Sequence, residues 1–401
     1  MPMSSATPVP PSHAPPAEPV DLSAAVATRV HSVAEARTGG DGKEGWRLGL
    51  AAAVTTAVWI YLGALLIIWG MMHFGGDGDW LPTILVYGPR QFYALPLVVL
   101  APLALICRWR FRNLWRLGIA AAVALGPLVN WCVPWYAVPQ AEGPRLRVLS
   151  LNTWGGAVAD EDLVALASRV AADVVLLQEA RPRYEEVWSE EWQVRRSGGL
   201  LVASRWPIVE DERLTKRVSA QGTVGGRGLL VAVDAPFGRI AVCNVHMRTP
   251  LWGLTEVLDP LAFLVPEGAD SLIEEIAYRR AGSEQLVDRL AGMGLPLVIG
   301  GDFNMTTDSR IYRAFWSRYT DAFLAAGWGP GFTKWTPYSD LDPEGHWDYE
   351  LEGEFGTRID HVLVDGHWAV ARARVEEDVG SDHRPVFAEV VFLPKGTADQ
   401  R

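Results

Sequence analysis

The chain has 401 residues, 49% of them hydrophobic and 21% charged, with a formal net charge of -11 at pH 7. Residues 1–140 carry 9 Lys and Arg against 7 Asp and Glu, whereas residues 141–401 carry 27 against 40, so the acidity belongs to the C-terminal part. An acidic domain lacks the broad basic face that binds nucleic acid, and 3 cysteines without a CxxC pair exclude a disulfide framework and a thiolate metal site.

Proline and small residues dominate the first segment of the chain. Seven of the first twenty residues are proline, and residues 1–45 contain few large apolar side chains and no hydrophobic period. Such a segment cannot bury a core, so the sequence predicts a disordered N-terminal tail over residues 1–45. A second, short tail is predicted at residues 395–401.

Residues 46–140 are predicted to form a membrane region with three transmembrane helices. Residues 48–72 contain 25 consecutive positions without a charge, more than the roughly 20 that a helix needs to cross a bilayer. Two further uncharged stretches, at residues 91–107 and 117–138, are predicted to form the second and third spans, although each contains two prolines. The alternative is that all three segments are buried helices of a soluble domain.

Charged residues near the ends of these spans predict how the chain crosses the membrane. Four arginines lie between the second and third spans: Arg108, Arg110, Arg112 and Arg116. Asp77 and Asp79 follow the first span. Because Lys and Arg collect in cytoplasmic loops, three spans predict a multi-pass cell-membrane protein with an extracytoplasmic C-terminal domain. Trp131, Trp135 and Tyr136 fit an aromatic belt where the chain leaves the bilayer.

β-rich apolar runs recur throughout residues 144–394 and predict eight strands. They lie at residues 146–151, 174–177, 200–203, 229–233, 240–245, 297–299, 359–364 and 386–392. Helical patterns occur between some of them, at residues 160–171 and 271–290. The order mixes hairpins with crossovers, so an α/β domain with two sheets flanked by helices is favoured over a purely parallel sheet.

Polar side chains collect near the ends of six of these strands, where α/β scaffolds place their functional sites. They are Asn152, Gln178, Glu179, His246, Asp302, Asn304, Asp360, His361, Asp382 and His383. The set contains carboxylate and amide oxygens but no thiolate, which suits a hard cation such as Mg²⁺ or Mn²⁺. Histidines beside aspartates suit proton transfer, and this combination is what the hydrolysis of a phosphoester requires.

Six short motifs in this domain resemble, in the same order, those of the endonuclease/exonuclease/phosphatase superfamily. They are Ser-Leu-Asn-Thr-Trp-Gly at 150–155, Leu-Leu-Gln-Glu at 176–179, Cys-Asn-Val-His at 243–246, Gly-Gly-Asp-Phe-Asn at 300–304, Arg-Ile-Asp-His-Val at 358–362 and Gly-Ser-Asp-His-Arg-Pro at 380–385. The resemblance covers roughly residues 145–393 and implies a DNase I-like fold. That fold is a four-layer α/β sandwich, in which helices flank two packed mixed sheets.

The resemblance also implies a metal site and its ligands. Glu179 matches the main metal ligand of the family, and Asn152 and Asp382 match residues that assist it. Mg²⁺ or Mn²⁺ is therefore the expected cofactor. The layout of three spans followed by this domain is similar to that of membrane-anchored bacterial phosphatases, which are thought to act on a polyprenyl pyrophosphate carrier.

Catalytic roles are implied residue by residue. His383 matches the general base or acid that acts on the attacking water, and Asp360 matches the residue that orients its ring. Asp302 and Asn304 would position the water and the phosphoryl oxygens, although Asp302 could also cap the following helix. His246 would donate a hydrogen bond to a phosphate oxygen.

Other residues are interpreted from their place in the sequence. Arg248, just after the strand of the third motif, either reaches a substrate phosphate or faces water. His361 points to the opposite strand face from its neighbour and is predicted to be structural. Thr153 and Trp154 stand where abasic-site nucleases of the superfamily have an acidic residue. This departure is nearer to the sphingomyelinase-like and phosphatase branches.

These expectations combine into a membrane-anchored, metal-dependent phosphoesterase that hydrolyses a phosphate ester or pyrophosphate. A lipid-linked substrate is favoured, because a tethered extracytoplasmic domain meets lipid head groups at high local concentration. An apolar segment at residues 251–265 either lies against lipid or packs over the domain core. The alternatives are an extracytoplasmic nuclease and a sphingomyelinase-like phospholipid phosphodiesterase. The lipid bilayer is the expected partner, nucleic acid is a less favoured one, and no protein partner is implied.

Overall fold

The computed structural model describes residues 22–107, 110–217, 219, 222–258, 267–335 and 356–393. Residues 1–21 of the predicted N-terminal tail and the predicted tail at residues 395–401 lie outside this part. A long helix, α1, spans Leu22–Gly70, so residues 22–45 are helical where the sequence predicted disorder. Alanine is frequent at its start and no proline occurs between Pro19 and Pro82, which removes the main helix breaker.

Four described α-helices precede the β-sheet domain and are called the helical bundle here. α1 continues as a π-helical turn at Met71–Gly75 and is followed by α2 at Trp80–Tyr87, a 3₁₀-helix at Arg90–Ala94, α3 at Leu95–Ile106, α4 at Arg110–Val123 and a π-helical turn at Ala124–Leu128. α1, α3 and α4 pack around a common set of buried apolar side chains. Asn113 donates to Thr55 at 3.1 Å and Arg116 lies over the Trp59 ring at 4.6 Å, so α1 and α4 run in the same direction.

Only part of the predicted membrane region could cross a bilayer. Among the described residues, Glu44–Gly75 is one helix that is long and apolar enough to do so. Trp80–Tyr87 and Arg90–Ile106 are bent by 83° at their break and together count as at most a second span. The prediction of three spans is therefore wrong. The helix over residues 91–107 is too short alone, and the one over residues 117–138 ends at Leu128, just after Pro127.

The domain after the bundle contains two six-stranded mixed sheets in its described residues. The first is built from β1 Arg145–Asn152, β2 Val174–Gln178, β3 Gln193–Ser197, β4 Leu200–Ser204, β13 Trp368–Val375 and β14 Val386–Phe392, in the order β13-β14-β1-β2-β4-β3. The second is built from β5 Ile208–Arg217, β6 Val224–Ala235, β7 Gly238–Met247, β8 Leu297–Asp302, β9 Thr320–Asp321 and β12 Asp360–Val364, in the order β5-β6-β7-β8-β12-β9. A two-stranded ribbon joins β10 Lys334–Trp335 to β11 Gly356–Thr357.

The described part of this domain contains the helices α5 Asp160–Arg169, α6 Leu251–Leu258, α7 Glu267–Ala291 and α8 Ala322–Ala326. α6 packs on α7, and α8 contributes apolar side chains to the core between the sheets. α5 packs on the first sheet and α7 on the second. Between the sheets lies a core of aliphatic side chains from both, including Val148, Leu176, Val231 and Val362. The structure confirms the predicted α/β fold with two mixed sheets and flanking helices.

Every strand that the sequence predicted is present, whereas the longer strands β3, β5 and β13 and the two-residue strands β9, β10 and β11 were not predicted. β5 reads Ile-Val-Glu-Asp-Glu-Arg-Leu-Thr-Lys-Arg and lies at the edge of its sheet beside β6. Charged side chains on an edge strand prevent its pairing with another chain. The apolar run that identifies a central strand is therefore missing from β5.

Strand pairing brings the polar residues of different motifs together. His246 lies opposite Asp302 in the parallel pairing of β7 with β8, and Asp360 lies opposite Asp302 in the antiparallel pairing of β12 with β8. Gly301 precedes Asp302 with a φ of 148°, and a Cβ atom there would lie 1.9 Å from the backbone oxygen of Val245. Glycine is thus required for β7 and β8 to approach this closely beside the site.

A buried carboxylate of β9 binds His361, the histidine predicted to be structural. Nδ1 of His361 lies 2.7 Å from Asp321, Tyr312 donates to Asp321 at 3.0 Å, and Arg358 lies 3.5 Å away. Burial alone raises the pKa of a carboxyl group, but the charge of Arg358 and the hydrogen bond from His361 hold the pKa of Asp321 well below its usual range. The Asp321 carboxylate therefore binds a proton more weakly in the folded chain than in the unfolded chain, where its pKa is near 3.8.

Asp321→Asn is expected to lower the free energy of unfolding by about 3–5 kcal/mol, because it leaves the buried charge of Arg358 without its partner. A depressed carboxyl pKa stabilises the fold above the unfolded pKa, so wild type should lose stability as the pH falls from about 4 towards 2. Thermal melting by circular dichroism in detergent between pH 2 and 7 measures both effects. Asp234→Asn, at an exposed pair with Arg239, is the control. An equal pH dependence in Asp321→Asn and wild type would contradict this account.

Candidate active site

Eight of the nine residues predicted to carry the chemistry line one cleft at the strand ends. The cleft has a volume of about 480 Å³. The predicted residues on its walls are Asn152, Glu179, His246, Arg248, Asp302, Asn304, Asp382 and His383. Asp360, the ninth, is buried and hydrogen bonded to His383. The fold therefore assembles the predicted set from both sheets.

His383 is held by a buried carboxylate. Its Nδ1 lies 2.8 Å from Oδ2 of Asp360, and its Nε2 lies 3.9 Å from Oδ2 of Asp302 and 3.9 Å from Oδ1 of Asp382. Burial opposes the charged ring, but the carboxylates of Asp360 and Asp302 outweigh it and raise the pKa of His383 to about 9. Because Asp360 accepts from Nδ1, Nε2 is the atom that can exchange a proton with a group in the cleft.

Asp302 is held by hydrogen bonds from both sheets. Its Oδ2 accepts from the side-chain amides of Asn152 and Asn304, each at 3.0 Å, and its Oδ1 accepts from the Asn304 backbone N–H at 2.8 Å. Nε2 of His246 lies 3.5 Å from the same Oδ2. Burial and the nearby charge of Asp360 raise the pKa of Asp302. Asp302 is thus a fixed acceptor at the floor of the cleft.

The side chain of Glu179 is more exposed to solvent than that of Asp302. Its Oε2 accepts from the backbone N–H of Gly155 at 2.8 Å, and its Oε1 accepts from the side-chain amide of Asn152 at 3.3 Å. The Glu179 side chain is 39% exposed, against 2% for Asp302. An ion or substrate that enters the cleft therefore meets Glu179 before it meets Asp302.

The backbone is strained at three positions around the cleft. Trp154, Glu179 and Asn304 have φ angles of 47°, 54° and 49°, in the left-handed region that residues other than glycine rarely adopt. Each such conformation costs on the order of 1–3 kcal/mol and persists only where the surrounding structure holds it. Strain at three strand ends around one cleft is typical of a functional site.

The donor set fits a divalent cation. Asp302, Asp360 and His383 each place one potential ligand atom within 4.8 Å of the others. Within the described part of the chain, Oδ1 of Asp360 and Oδ1 of Asp382 are buried without a hydrogen-bond partner. A buried carboxylate oxygen without a partner is costly, and a cation or a water molecule would satisfy it. Carboxylate oxygens are the ligands that Mg²⁺ and Mn²⁺ prefer.

None of the three ligands predicted from the sequence belongs to this group of Asp302, Asp360 and His383. Glu179 and Asn152 lie beside it, and Asn152 bridges Glu179 to Asp302. Asp382 is different, because its Oδ2 is bound to the ammonium group of Lys334. That ion pair compensates the charge of Asp382 and makes it a weaker ligand for a cation than Glu179.

Lys334 lines the cleft but was not found from the sequence. It lies in the short strand β10 and forms an isolated backbone bridge with His383, besides its ion pair with Asp382. No apolar run precedes it, and its distance along the chain from the motifs follows no recognisable spacing. Long-range folding alone brings this lysine to the site.

Arg248 lines the cleft, but its charge is already compensated. Both oxygens of Glu275 on α7 accept hydrogen bonds from its guanidinium group. The same group lies 5.9 Å from the centre of the Tyr278 ring. The structure therefore places Arg248 beside the predicted substrate position, with a carboxylate partner of its own.

Residues 149–383 match the model of the Endonuclease/Exonuclease/phosphatase family, whose members hydrolyse phosphoester bonds. The matched region extends from the strand that ends in Asn152 to His383. No curated protein matches the chain.

Solved structures similar to the chain include an endonuclease/exonuclease/phosphatase family protein from Bacteroides thetaiotaomicron, 17% identical with a TM-score of 0.42 over 63% of this chain and 99% of that one. TDP2 from D. rerio in complex with a single strand DNA product is 13% identical, with a TM-score of 0.43 over 61% of this chain and 98% of that one. A mannosyl-6-phosphatase from Bacteroides thetaiotaomicron VPI-5482 is 17% identical, with a TM-score of 0.40 over 62% of this chain and 100% of that one. Similarity this low carries no information about the substrate.

His383→Ala and Asp360→Asn are each expected to lower turnover by about 10²- to 10⁴-fold, because both groups serve the same proton transfer. Hydrolysis of bis(p-nitrophenyl) phosphate by the full-length variants in detergent measures this, and circular dichroism verifies the fold. His367→Ala is the matched control, since His367 is also paired with an aspartate, Asp365 at 3.0 Å, but outside the cleft. Wild-type rates in His383→Ala would refute the assignment.

Proposed function

Because the chain belongs to the endonuclease/exonuclease/phosphatase family, we propose that it is a membrane-anchored, divalent-metal-dependent phosphoesterase. It hydrolyses a lipid-linked phosphate ester or pyrophosphate at the extracytoplasmic face of the cell membrane. Family membership supports phosphoester hydrolysis, and the position of the cleft against the helical bundle supports the lipid-linked substrate.

The observation that carries the lipid substrate is an apolar contact between a wall of the cleft and the bundle. α6 begins at Leu251, which lines the cleft, and Leu254 of the same helix is buried against Leu272 of α7. Trp80 and Ile84 of α2 pack on this cluster. The cleft wall thus continues into the apolar surface of the bundle. A substrate with its phosphate in the cleft can keep its lipid chain at the bilayer.

Only part of the apolar segment at residues 251–265 belongs to this wall. Residues 251–258 form α6, which packs on α7 and α2, while residues 259–265 lie outside the described part of the chain. Packing over the domain therefore accounts for the first half of the segment. It also places that half between the cleft and the bundle.

Charge at the two ends of the bundle supports an extracytoplasmic catalytic domain. Arg116 stacks on Trp59 of α1, and Arg110 and Arg112 precede it on α4, so the arginines lie beside the N-terminal half of Glu44–Gly75. Two aspartates, at positions 77 and 79, follow the opposite end. Cytoplasmic flanks are rich in Lys and Arg, so one crossing by this helix leaves its N-terminal end inside and the domain outside.

Exposed aromatic side chains support the bilayer surface as a partner. Trp131, Trp135 and Tyr136 follow the bundle and are 42%, 79% and 77% exposed, and Trp328 of the β-sheet domain is 68% exposed. The rings of Trp131 and Trp328 meet edge to face, with centroids 6.3 Å apart. Tryptophan and tyrosine favour the membrane–water interface, so this patch would hold the domain against the head groups.

A divalent cation explains how an acidic cleft can bind a phosphate. Glu179, Asp302, Asp360 and Asp382 surround the site and would repel an anionic substrate. Glu179 and Asn152, with Asp302 beneath them, are the residues that would hold the cation. When bound, it offsets the charge that collects on the phosphoryl oxygens.

The chain's own residues supply orientation and proton transfer. In the proposed reaction water attacks phosphorus, and the P–O bond to the leaving group breaks. Asp302 accepts a hydrogen bond from the water, and the proton that the water loses passes through Nε2 of His383 to the leaving-group oxygen. Asp360 keeps Nδ1–H directed away from the cleft during this transfer. His246, 3.5 Å from Asp302, is placed to donate to a phosphoryl oxygen.

The compensation of positive charge in the cleft disfavours a nuclease. Arg248 is bound by Glu275 and Lys334 by Asp382. Among the described residues that line the cleft, Arg227 is the remaining Lys or Arg. A nucleic acid binds through several phosphates along a basic track. A single lipid-linked phosphate or pyrophosphate does not need such a track.

Phosphate release from polyprenyl pyrophosphate by the full-length protein in detergent tests the proposal. Release is expected with Mg²⁺, and it should be abolished by EDTA and by His383→Ala. Sphingomyelin and plasmid DNA are assayed in parallel. Phosphocholine release from sphingomyelin would instead identify a phospholipid phosphodiesterase. Plasmid nicking without lipid turnover would identify a nuclease, and no metal-dependent turnover on any substrate would overturn the enzyme assignment.

Glu179→Gln is expected to weaken Mn²⁺ binding by at least about 10-fold, since the variant loses the charge of the most accessible carboxylate in the cleft. Electron paramagnetic resonance of free Mn²⁺ in titrations of the detergent-solubilised protein measures the affinity. Glu185→Gln is the control, because Glu185 pairs with Arg196 outside the cleft. Unchanged affinity in Glu179→Gln, with loss in Asp360→Asn, would assign the cation to the group of Asp302, Asp360 and His383.

A further inference from the structure

A buried polar cluster joins the helical bundle to the end of β8. This junction cluster consists of Asp77, Tyr87, Arg279 of α7 and the backbone of Asn304. Asp77 and Arg279 have fully buried side chains. Asp77 and Tyr87 precede residue 149, where the family match begins. The cluster therefore connects a cleft residue to a part of the chain outside the matched region.

Asp77 fixes the segment before α2 to the loop after β8. Its Oδ2 accepts from the hydroxyl of Ser309 at 2.6 Å, and its Oδ1 accepts from the backbone N–H groups of Arg310 at 2.7 Å and Ile311 at 3.2 Å. Nη1 of Arg279 lies 3.6 Å from the same carboxylate. Charge-assisted hydrogen bonds to a buried carboxylate are strong and directional. The segment leading into α2 is thus held in one position.

Tyr87, at the other end of α2, reaches the cleft residue directly. Its hydroxyl donates to the backbone oxygen of Asn304 at 3.1 Å. Nη2 of Arg279 donates to the same backbone oxygen at 2.6 Å and to the Tyr87 hydroxyl at 2.6 Å. Two donors from different parts of the chain therefore fix one carbonyl group.

Asn304 needs this support because its conformation is strained. Its φ of 49° lies in the left-handed region, and that strain persists only where neighbouring groups oppose its release. In this conformation its backbone and side-chain N–H groups both donate to Asp302. Relaxation of Asn304 would turn these donors away and free the Asp302 carboxylate to move.

We propose that Tyr87 is a positioning residue of the active site. Together with Arg279 it holds Asn304 in its strained conformation and thereby fixes Asp302 at the floor of the cleft. The inference rests on the proposed function, since it takes the cleft as the active site. It makes the helical bundle part of the catalytic framework as well as an anchor.

Tyr87→Phe tests the proposal, because it removes only the hydroxyl and keeps the ring. In full-length protein in detergent, amide hydrogen exchange over residues 302–308 is expected to become about 2- to 10-fold faster, the effect of losing one hydrogen bond. With bis(p-nitrophenyl) phosphate and Mn²⁺, kcat should fall by a similar factor of about 2 to 10, while KM stays nearly constant.

Tyr61→Phe is the matched control. Its hydroxyl donates to the backbone oxygen of Tyr93 at 2.6 Å, so the variant loses the same kind of bond inside the bundle, away from Asn304. Exchange over residues 302–308 and kcat should both match wild type.

Three outcomes would overturn the positioning role. They are unchanged exchange over residues 302–308 in Tyr87→Phe, an equal change in Tyr61→Phe, and faster exchange throughout the protein, including β2. Exchange does not depend on turnover. If wild type hydrolyses neither this probe nor polyprenyl pyrophosphate, the proposed function fails, and exchange over residues 302–308 still decides the role of Tyr87.

Discussion

The hydrogen bond between Asn152 and Asp302 is the contact on which the rest of the site depends. Asn152 ends β1 in the first sheet and Asp302 ends β8 in the second, so packing between the sheets sets their separation. His246 and His383 are both positioned around Asp302. Because a close-packed interior transmits small shifts, any change in the spacing of the sheets displaces the site. The packing of the core between the two sheets therefore also determines the geometry of the site.

The negative charge of the cleft is not fully compensated by its basic side chains, and this excess of negative charge favours the binding of a cation. Carboxylates come from both sheets, and the basic side chains Lys334 and Arg248 are each bound to a carboxylate of the protein. Carboxylates gathered in a partly buried site repel one another and raise the cost of leaving it without a cation. A divalent cation bound there would relieve this repulsion and would supply the attraction for phosphate that the protein's own side chains do not provide.

The helical bundle is tied to the β-sheet domain through α2. α2 is too short to cross a bilayer, and the residues at both of its ends contact the β-sheet domain. Asp77 before it binds the loop after β8, and Arg90 after it donates to Thr306 at 3.0 Å and pairs with Asp308. α2 therefore serves as a docking element between the helical bundle and the β-sheet domain.

The local pattern of apolar and polar residues was sufficient to predict the central strands and the polar residues at their ends. A buried strand is a continuous run of apolar side chains, so Asn152, Glu179 or Asp302 stands out as the polar residue that ends a run. The donor types then indicate a hard cation and phosphoester chemistry. The sequence could not give the partner of each charge: Arg248 pairs with a glutamate 27 positions away, and Lys334 with an aspartate 48 positions away. Ion pairs, edge strands and the docking of α2 depend on distances between remote segments, which no local pattern encodes.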